Sequence, residues 1–293
     1  MMELGKIGVW AGLDAMSATE AAAFAQRVEA MGYSALWIPE AVGRDPFSQI
    51  GYLAASTGKL IFATGIANIY ARDPMLMNSI RKTVSELAPD RFILGLGVSH
   101  KHLVSNQRGH DYAKPLTTMR NYLEAMDKAL FMGRPPEHEA PIVIGALRDK
   151  MLALSASQAN GAHPYNVTPD HTKHARNIMG TDALLCPEQM VLAETDADKA
   201  REIARKHLAI YLGLPNYQNS LKDFGFGDSD FAGGGSDALV DALVVWGEPE
   251  KIADHVRAHL DAGANHVCIQ AFPTDGSFGV DEDLLKRLAD LIL

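Results

Sequence analysis

Short apolar runs alternate with amphipathic stretches along the whole chain, and each change of period marks an element. "KIGVWAGL" at 6–13 is apolar on both faces and leaves through a glycine, as a buried strand does. "SATEAAAFAQRVEAMGY" then switches to helical period. Ser17 or Thr19 stands at its start, Glu20 in its first turn and Gly32 at its end, with Phe24, Val28 and Met31 on one face. Further strands are predicted at 34–43, 60–69, 92–96, 140–147, 161–167, 183–195 and 265–272. Helices are predicted within 73–91, from Pro115 to about Met132, within 149–162, over about 196–212, from 249 to an end at Gly263, and from about Asp281.

Eight buried strands, most of them followed by a helix, predict a closed parallel barrel: an α/β chain folded as a (β/α)8 TIM barrel with insertions. A doubly wound open sheet is the alternative. No linker and no longer repeat interrupts the pattern, so residues 1–293 read as one domain. The stretch 213–237, "GLPNYQNSLKDFGFGDSDFAGGGSD", is the exception. It is glycine-rich, aromatic and without period, and is expected to be a mobile flap insertion.

Composition narrows the function classes. The chain has 293 residues, 47% of them hydrophobic, and a formal net charge of −9 without a basic tract, which speaks against nucleic acid as a partner. No apolar run reaches the ~20 residues of a membrane span, and the N-terminus lacks a signal-peptide pattern, so a cytoplasmic protein is expected. Cys186 and Cys268 lie among apolar neighbours and read as buried thiols rather than a disulfide.

In a barrel of this kind the site lies where the strands' C-terminal ends meet the following loops. The strand ends supply Glu40; Asn68, Tyr70 and Arg72; Ser99, His100, Lys101 and His102; Gly145 to Arg148; His163 and Tyr165; and Gln270. The stretch "RFILGLGVSHKHL" at 91–103 raises the main question, because a strand leaves the core through two glycines into a hydroxyl, two imidazoles and an amine. It lacks the third glycine of a dinucleotide fingerprint, so the Gly-x-Gly reads as a close backbone approach to a flat ligand. In "PIVIGALRDKML" a helix begins near Arg148. Its unpaired amides and the guanidinium suit a phosphate. His100 and His102 lack a third ligand and make a weak metal motif, and no metal is assigned. His171 and His174 read as a surface pair. His163 reads either as a site residue or as a satisfied core histidine.

Taken in order, "LWIPEAVG", "TGIANIYARDP", "RFILGLGVSH", "PIVIGALRDKML", "ANGAHPYNVTPDHT" and "WGEPEKIADHVRAHLDAGANHVCIQ" resemble the luciferase-like flavin and deazaflavin oxidoreductases over nearly the whole chain. "WIPEAVGRDP" and "GAHPYNVTPDHT" are most similar to the branch that uses the deazaflavin coenzyme F420. The resemblance implies a non-prolyl cis peptide at Ala67–Asn68 behind the cofactor's central ring. It places a carboxylate at Glu40, lines the ring with Val98, Ser99 and His100, and lays the cofactor phosphate along Gly145, Ala146, Leu147 and Arg148, with His163 beside the cofactor. Arg44, Arg72 and Lys101 are candidate contacts for an anionic tail. The departures are Ala41 where relatives carry His, Ala146 where a second glycine is usual, and Asn160 and Asn166 where an acid and an aromatic are frequent.

The expectation is an F420-dependent oxidoreductase that transfers a hydride to or from a small organic substrate, with His100 and Glu40 as catalytic residues. The alternative is an FMN-dependent two-component monooxygenase. A barrel that has lost turnover and a metal-dependent hydrolase are further alternatives. The resemblance also implies a homodimer, with the apolar helix "PMLMNSIRKTVSEL" as a candidate surface.

Overall fold

The computed structural model describes residues 2–293. β1 (Ile7–Trp10) is followed by α1 (Ala18–Ala30), and β2 (Ala35–Ile38) by α2 (Pro46–Ala55). β3 (Ile61–Thr64) breaks and resumes as β4 (Ala67–Asn68), before α3 (Pro74–Leu87). β5 (Phe92–Gly97) leads through a π-helical turn (His102–Gln107) to α4 (Pro115–Asp127). β6 (Ile142–Ile144) leads to α5 (Asp149–Gln158), and β7 (Gly161–Ala162) to α6 (Pro169–Met179). β8 (Leu184–Leu185) and β9 (Glu188–Leu192) precede α7 (Ala197–Leu212), α8 (Pro215–Lys222), a 3-10 segment (Asp228–Gly234) and α9 (Asp237–Leu243). β10 (Val244–Trp246), α10 (Pro249–Asp261), β11 (Val267–Phe272) and α11 (Glu282–Ile292) complete the chain.

All strand pairs are parallel. β3 and β4 are one barrel strand interrupted by a bulge, because both pair with β5. β8 and β9 are likewise one strand: β8 pairs with β7 on one side, and β9 pairs with β11 on the other. This continuous strand closes the ring β1-β2-β3/4-β5-β6-β7-β8/9-β11, with β10 appended outside β9. The fold is therefore TIM-barrel-like, as the alternation of strands and helices predicts.

Helix starts follow local capping. Ser17 and Glu20 form a capping box on α1, and Asp45, Asp73, Thr168, Asp196 and Asp281 cap α2, α3, α6, α7 and α11 through their side-chain oxygens. Helices α2, α6, α8 and α9 escape the sequence pattern. α2 and α6 are each opened by an acid or threonine cap and a proline, but their apolar stripes are short. Residues 213–237 also differ from the aperiodic loop expected there. They hold α8, which buries Tyr217, Ser220 and Leu221, and the 3-10 segment. Eight residues are too few for an amphipathic stripe to stand out, and the tertiary contacts of Tyr217 and Leu221 supply the order.

One apolar layer lies between barrel and helices and includes Phe24, Leu36, Phe62, Leu94 and Val267. A second fills the barrel interior with Trp37, Ala63, Ile93, Val143, Cys186 and Cys268. Both cysteines are buried free thiols. No helix among the described residues is long and apolar enough to cross a membrane.

The two glycines of β5 have a different purpose from the one their spacing suggests. A Cβ on Gly95 would lie 1.8 Å from the Thr64 carbonyl oxygen, and one on Gly97 would lie 2.2 Å from Ile66 Cδ1. The space over the strand is taken by the chain's own bulge, not left for a ligand. Gly95→Ala therefore meets a backbone atom that cannot yield, and should cost about 3 kcal/mol or more, at the upper end of overpacking effects. Gly97→Ala meets the Ile66 side chain, at Cδ1 and Cγ1, rather than backbone, and should cost less because a side chain can shift. Thermal melts of the two variants check the ranking, and equal melting temperatures would contradict it.

Candidate active site

The bulge between β3 and β4 forms the floor of the site. The non-prolyl cis peptide is Gly65–Ile66, not the expected Ala67–Asn68. By Ala67 the chain has already returned to strand pairing: Ala67 and Asn68 stand opposite Leu96 and Gly97, and only residues 65 and 66 lie outside the ladder. Thr64 fastens the bulge from below. Its hydroxyl donates to Gly95 O at 2.7 Å and accepts the Gly95 N–H at 2.8 Å. Ile66 then rests over Gly97.

Glu40 fastens the bulge from the side. Its carboxylate accepts the Asn68 backbone N–H at 2.8 Å and Arg72 Nη1 at 2.8 Å. Both side chains of the ion pair are buried, at 7% and 11% exposure. Arg72 also pairs with Asp45, lies 4.7 Å from the centre of the Phe47 ring and is fixed through its carbonyl by the Tyr122 hydroxyl. Glu40 is thus engaged with the scaffold, and Arg72 is not available to an anionic tail as the sequence reading allowed. Arg44 is similarly occupied, donating to the Met16 carbonyl at 3.0 Å.

His100 lies partly buried after β5 and pairs with Asn216, while its ring is 5.8 Å from that of Tyr217. Burial lowers its pKa and the Asn216 bond partly opposes this, so the imidazole is neutral near pH 7. Ser99 takes a left-handed backbone, φ 56°, a conformation that non-glycine residues adopt rarely and mostly at functional sites. Its carbonyl accepts the Tyr112 hydroxyl at 3.0 Å. Val98 packs on the core, and Lys101 and His102 point outward, with His102 held by Asn106.

His163 is buried behind the bulge. It stacks on Trp37 at 4.4 Å and donates from Nδ1 to the Cys186 carbonyl at 2.7 Å, which leaves Nε2 as an acceptor without a partner. A Cβ on Gly65 would lie 3.1 Å from that nitrogen.

At the β6–α5 junction, Gly145 bonds back to Leu96 O, Ala146 is buried and Arg148 is the N-cap of α5. His171 and His174 are not a loose surface pair. His171 is buried and donates from Nε2 to the Leu147 carbonyl at 2.7 Å, while His174 bonds Asp149 at 2.9 Å. Together they hold the turn that presents the first amides of α5. A cavity of 460 Å³ opens there, lined by Leu147, Arg148, Lys150, His174, Asp223 and Phe224. Arg148 pairs with Asp223 at 3.0 Å, with both side chains more than half exposed, so the pair is weak.

Tyr165 and Gln270 from the strand ends converge on the same mouth, together with Glu188, which the strand ends did not offer. The Tyr165 hydroxyl donates to Gln270 Oε1 at 2.8 Å and stands 3.2 Å from that of Tyr211. Glu188 is in register with Cys268 and points into the barrel. Its Oε2 accepts the Asn166 N–H at 3.3 Å and no cation faces it, so burial pushes its pKa up to about 8. A glutamate inside an apolar strand run, "LLCPEQMVL", was the available signal. Six of the nine buried side-chain N and O atoms without a partner among the described residues belong to this region: Asn68 Nδ2, Tyr70 OH, His163 Nε2, both amide atoms of Asn166, and Glu188 Oε1. Such atoms are rare in folded proteins and costly, and their gathering at one end of a barrel marks a place built for a polar ligand.

Comparison with known proteins identifies the family. Residues 1–266 match the family model of the luciferase-like monooxygenases. The chain belongs to that family. Its members are enzymes. The sequence is 25% identical over 290 residues to a 5,10-methylenetetrahydromethanopterin reductase of Methanolobus tindarius, covering 83% of this chain and 87% of the relative. Among solved structures, the coenzyme F420-dependent tetrahydromethanopterin reductase of Methanopyrus kandleri superposes with a TM-score of 0.75 at 19% identity, covering 99% of both chains. The oxygenating constituent of 3,6-diketocamphane monooxygenase from Pseudomonas putida, in complex with FMN, superposes at 0.68 with 15% identity and 99% coverage of both. These likenesses establish the shared fold of this family member.

The site's buried histidines make its stability sensitive to acid. Burial lowers His163, His171, His207 and His266 to about 4 and His259 to about 3. Between about pH 6.5 and 4 the unfolded chain binds protons at these imidazoles that the folded chain does not, so stability falls as pH falls, by about 1.4 kcal/mol per pH unit for each excess proton. Glu188 runs the other way between its ordinary 4.5 and about 8 and offsets one of them. Melting temperatures measured from pH 8 to pH 4.5 should drop steeply below 6.5, and a flat profile would refute the buried neutral imidazoles.

Proposed function

We propose that this chain is a coenzyme F420-dependent oxidoreductase that moves a hydride between the deazaflavin and a small organic molecule. The observation that carries the reading is the ring of unpartnered polar atoms at Asn68, Tyr70, His163, Asn166 and Glu188, which suits the polar edge of a planar heterocycle lying on the Ile66 bulge. The F420-dependent activity named for the Methanopyrus kandleri relative supports it. Ala67, Asn68, Val98 and Ser99 would flank the ring, with His163 backing the bulge. The amides after Gly145, Ala146 and Leu147, with Arg148, would hold the phosphate at the N-terminus of α5.

When bound, the deazaflavin supplies a carbon that gives or accepts the hydride. The rest of the chemistry falls to this chain. His100, neutral through burial, takes the hydroxyl proton of an alcohol as the hydride leaves its carbon, and returns a proton to the carbonyl oxygen in the reverse direction. Glu40 acts through the scaffold, holding Asn68 and the bulge in place with Arg72. FMN is the second candidate cofactor, because the cavity at Arg148 suits its phosphate equally well.

The helix α8 would act as a lid. Its Tyr217 is packed among Tyr165, Tyr211 and His100 at the mouth, and Asp223 just beyond it neutralises Arg148. A ring and a phosphate bound at these two places displace both. We also infer a homodimer through α2 and α3, which expose Tyr52, Met75, Leu76 and Leu87.

Fluorescence titration should show tighter binding of deazaflavin than of FMN. Tighter FMN binding with oxygen-dependent turnover would reverse the cofactor assignment. His100→Ala should lower turnover by ~10²–10⁴-fold at saturating cofactor while leaving cofactor affinity nearly unchanged; unchanged turnover removes His100 from proton transfer. Light scattering should give a dimeric mass, and Leu76→Glu a monomeric one.

A further inference from the structure

A separate cavity lies beside the mouth, between α7, the ends of β1 and β11, and the 273–280 loop, with a volume of 230 Å³. Its wall includes Trp10, Tyr165, His207, Tyr211, Gln270 and Phe272. Trp10 and Tyr165 belong also to the mouth, with ring centres 5.3 Å apart, so the cavity adjoins the cofactor site proposed above. Phe278 and Ile210 form an exposed rim.

Three features specify what fits. First, among the described residues no Asp, Glu, Lys or Arg lines the cavity. Second, His207 is buried and its Nε2 has no partner, although the ring is fixed by stacking on Phe272 at 3.6 Å and by an edge contact with Phe278 at 4.8 Å. Lys206, the neighbouring residue, is tied to the Gly276 carbonyl at 2.6 Å and anchors the 273–280 loop against α7. Third, the space is small. An apolar cavity of ~150 Å³ accepts benzene, whereas drug-sized ligands need ~300 Å³ or more.

We propose that this cavity is the substrate pocket, and that it selects a neutral, single-ring-sized apolar molecule carrying one oxygen that hydrogen-bonds to His207 Nε2. The inference rests on the oxidoreductase reading and adds the substrate class. His207 is a specificity-determining residue: it anchors the oxygen-bearing end of the ligand, and the aromatic wall takes the rest. Burial, with the charge of Lys206 beside it, keeps the imidazole neutral, so it offers an anion no charge. His207 Nε2 carries its own proton and donates it as a hydrogen bond to the ligand oxygen, so the ligand's hydroxyl proton stays free to pass to His100 while the hydride passes to the deazaflavin, and no other oxidant enters.

Benzyl alcohol, toluene and benzoate serve as probes on the purified full chain, by ligand-detected NMR and by quenching of tryptophan fluorescence, without cofactor. Benzyl alcohol should bind best and benzoate at least tenfold more weakly. His207→Phe keeps the stacking ring and removes the nitrogen, so the preference for benzyl alcohol over toluene should fall by roughly three- to tenfold, the worth of one hydrogen bond. Ile210→Trp, at an exposed rim position where folding is not at risk, should narrow the entrance and weaken every probe. Equal binding of benzoate, a preference retained in His207→Phe, or unchanged affinities in Ile210→Trp would overturn the proposal. A parallel deazaflavin titration separates the two readings. Probe discrimination without deazaflavin binding supports this pocket and refutes the cofactor assignment, whereas deazaflavin binding without discrimination refutes the pocket alone.

Discussion

The contact between Thr64 and Gly95 is the constraint on which the site depends. Two reciprocal hydrogen bonds join the Thr64 hydroxyl to the Gly95 backbone, and the Thr64 carbonyl occupies the space that any side chain at 95 would need. A strand held this tightly at Thr64 cannot continue its ladder through the next two residues. It bulges at Gly65 and Ile66 and resumes pairing at Ala67. Ile66 is thereby pushed over Gly97 into the mouth, and Asn68 is delivered with its side-chain Nδ2 unpartnered. The glycines of β5 are thus conditions for the bulge, and the bulge is the surface offered to a ligand.

Charge is distributed to protect this arrangement. The part-buried ion pair of Glu40 with Arg72 braces the bulge, and Arg72 is shared with Asp45. The imidazoles around the barrel interior are held neutral by burial and by defined donors and acceptors. His266, for example, donates to the Gly5 carbonyl and accepts from Trp37 Nε1. Glu188, with no cation near it, retains its proton at neutral pH. A low-dielectric mouth lined by neutral polar groups suits hydride chemistry, in which separated charges would be costly and water would compete for protons.

The outer shell ties distant segments to the same end of the barrel. His171 and His174 on α6 position the turn before α5, Phe224 packs between them, and Asp223 meets Arg148. The short helix α8 and the turn that follows it therefore touch both the ring end and the phosphate end of the proposed cofactor site. This connection is made by folding alone, since Arg148 and Asp223 are 75 residues apart in sequence.

What the sequence determined by itself is the order of eight strands, the barrel and the set of loops that form its active rim, because alternation of apolar runs and capped amphipathic stretches is a local signal. Ser17, Asp73 and Asp281 announced their helices, and His100, Ser99 and Arg148 stood at strand ends. The short helices α2, α6, α8 and α9 carried too few periodic residues to be seen. Whether a polar residue faces the ligand or the scaffold was decided only by tertiary structure, because that depends on partners far away in the chain. Glu40 is engaged by Arg72, and His171 by the Leu147 carbonyl. Gly95 and Gly97 are covered by Thr64 and Ile66, while Asn166 and Glu188, 22 residues apart in sequence, meet inside the barrel with hydrogen-bonding capacity to spare.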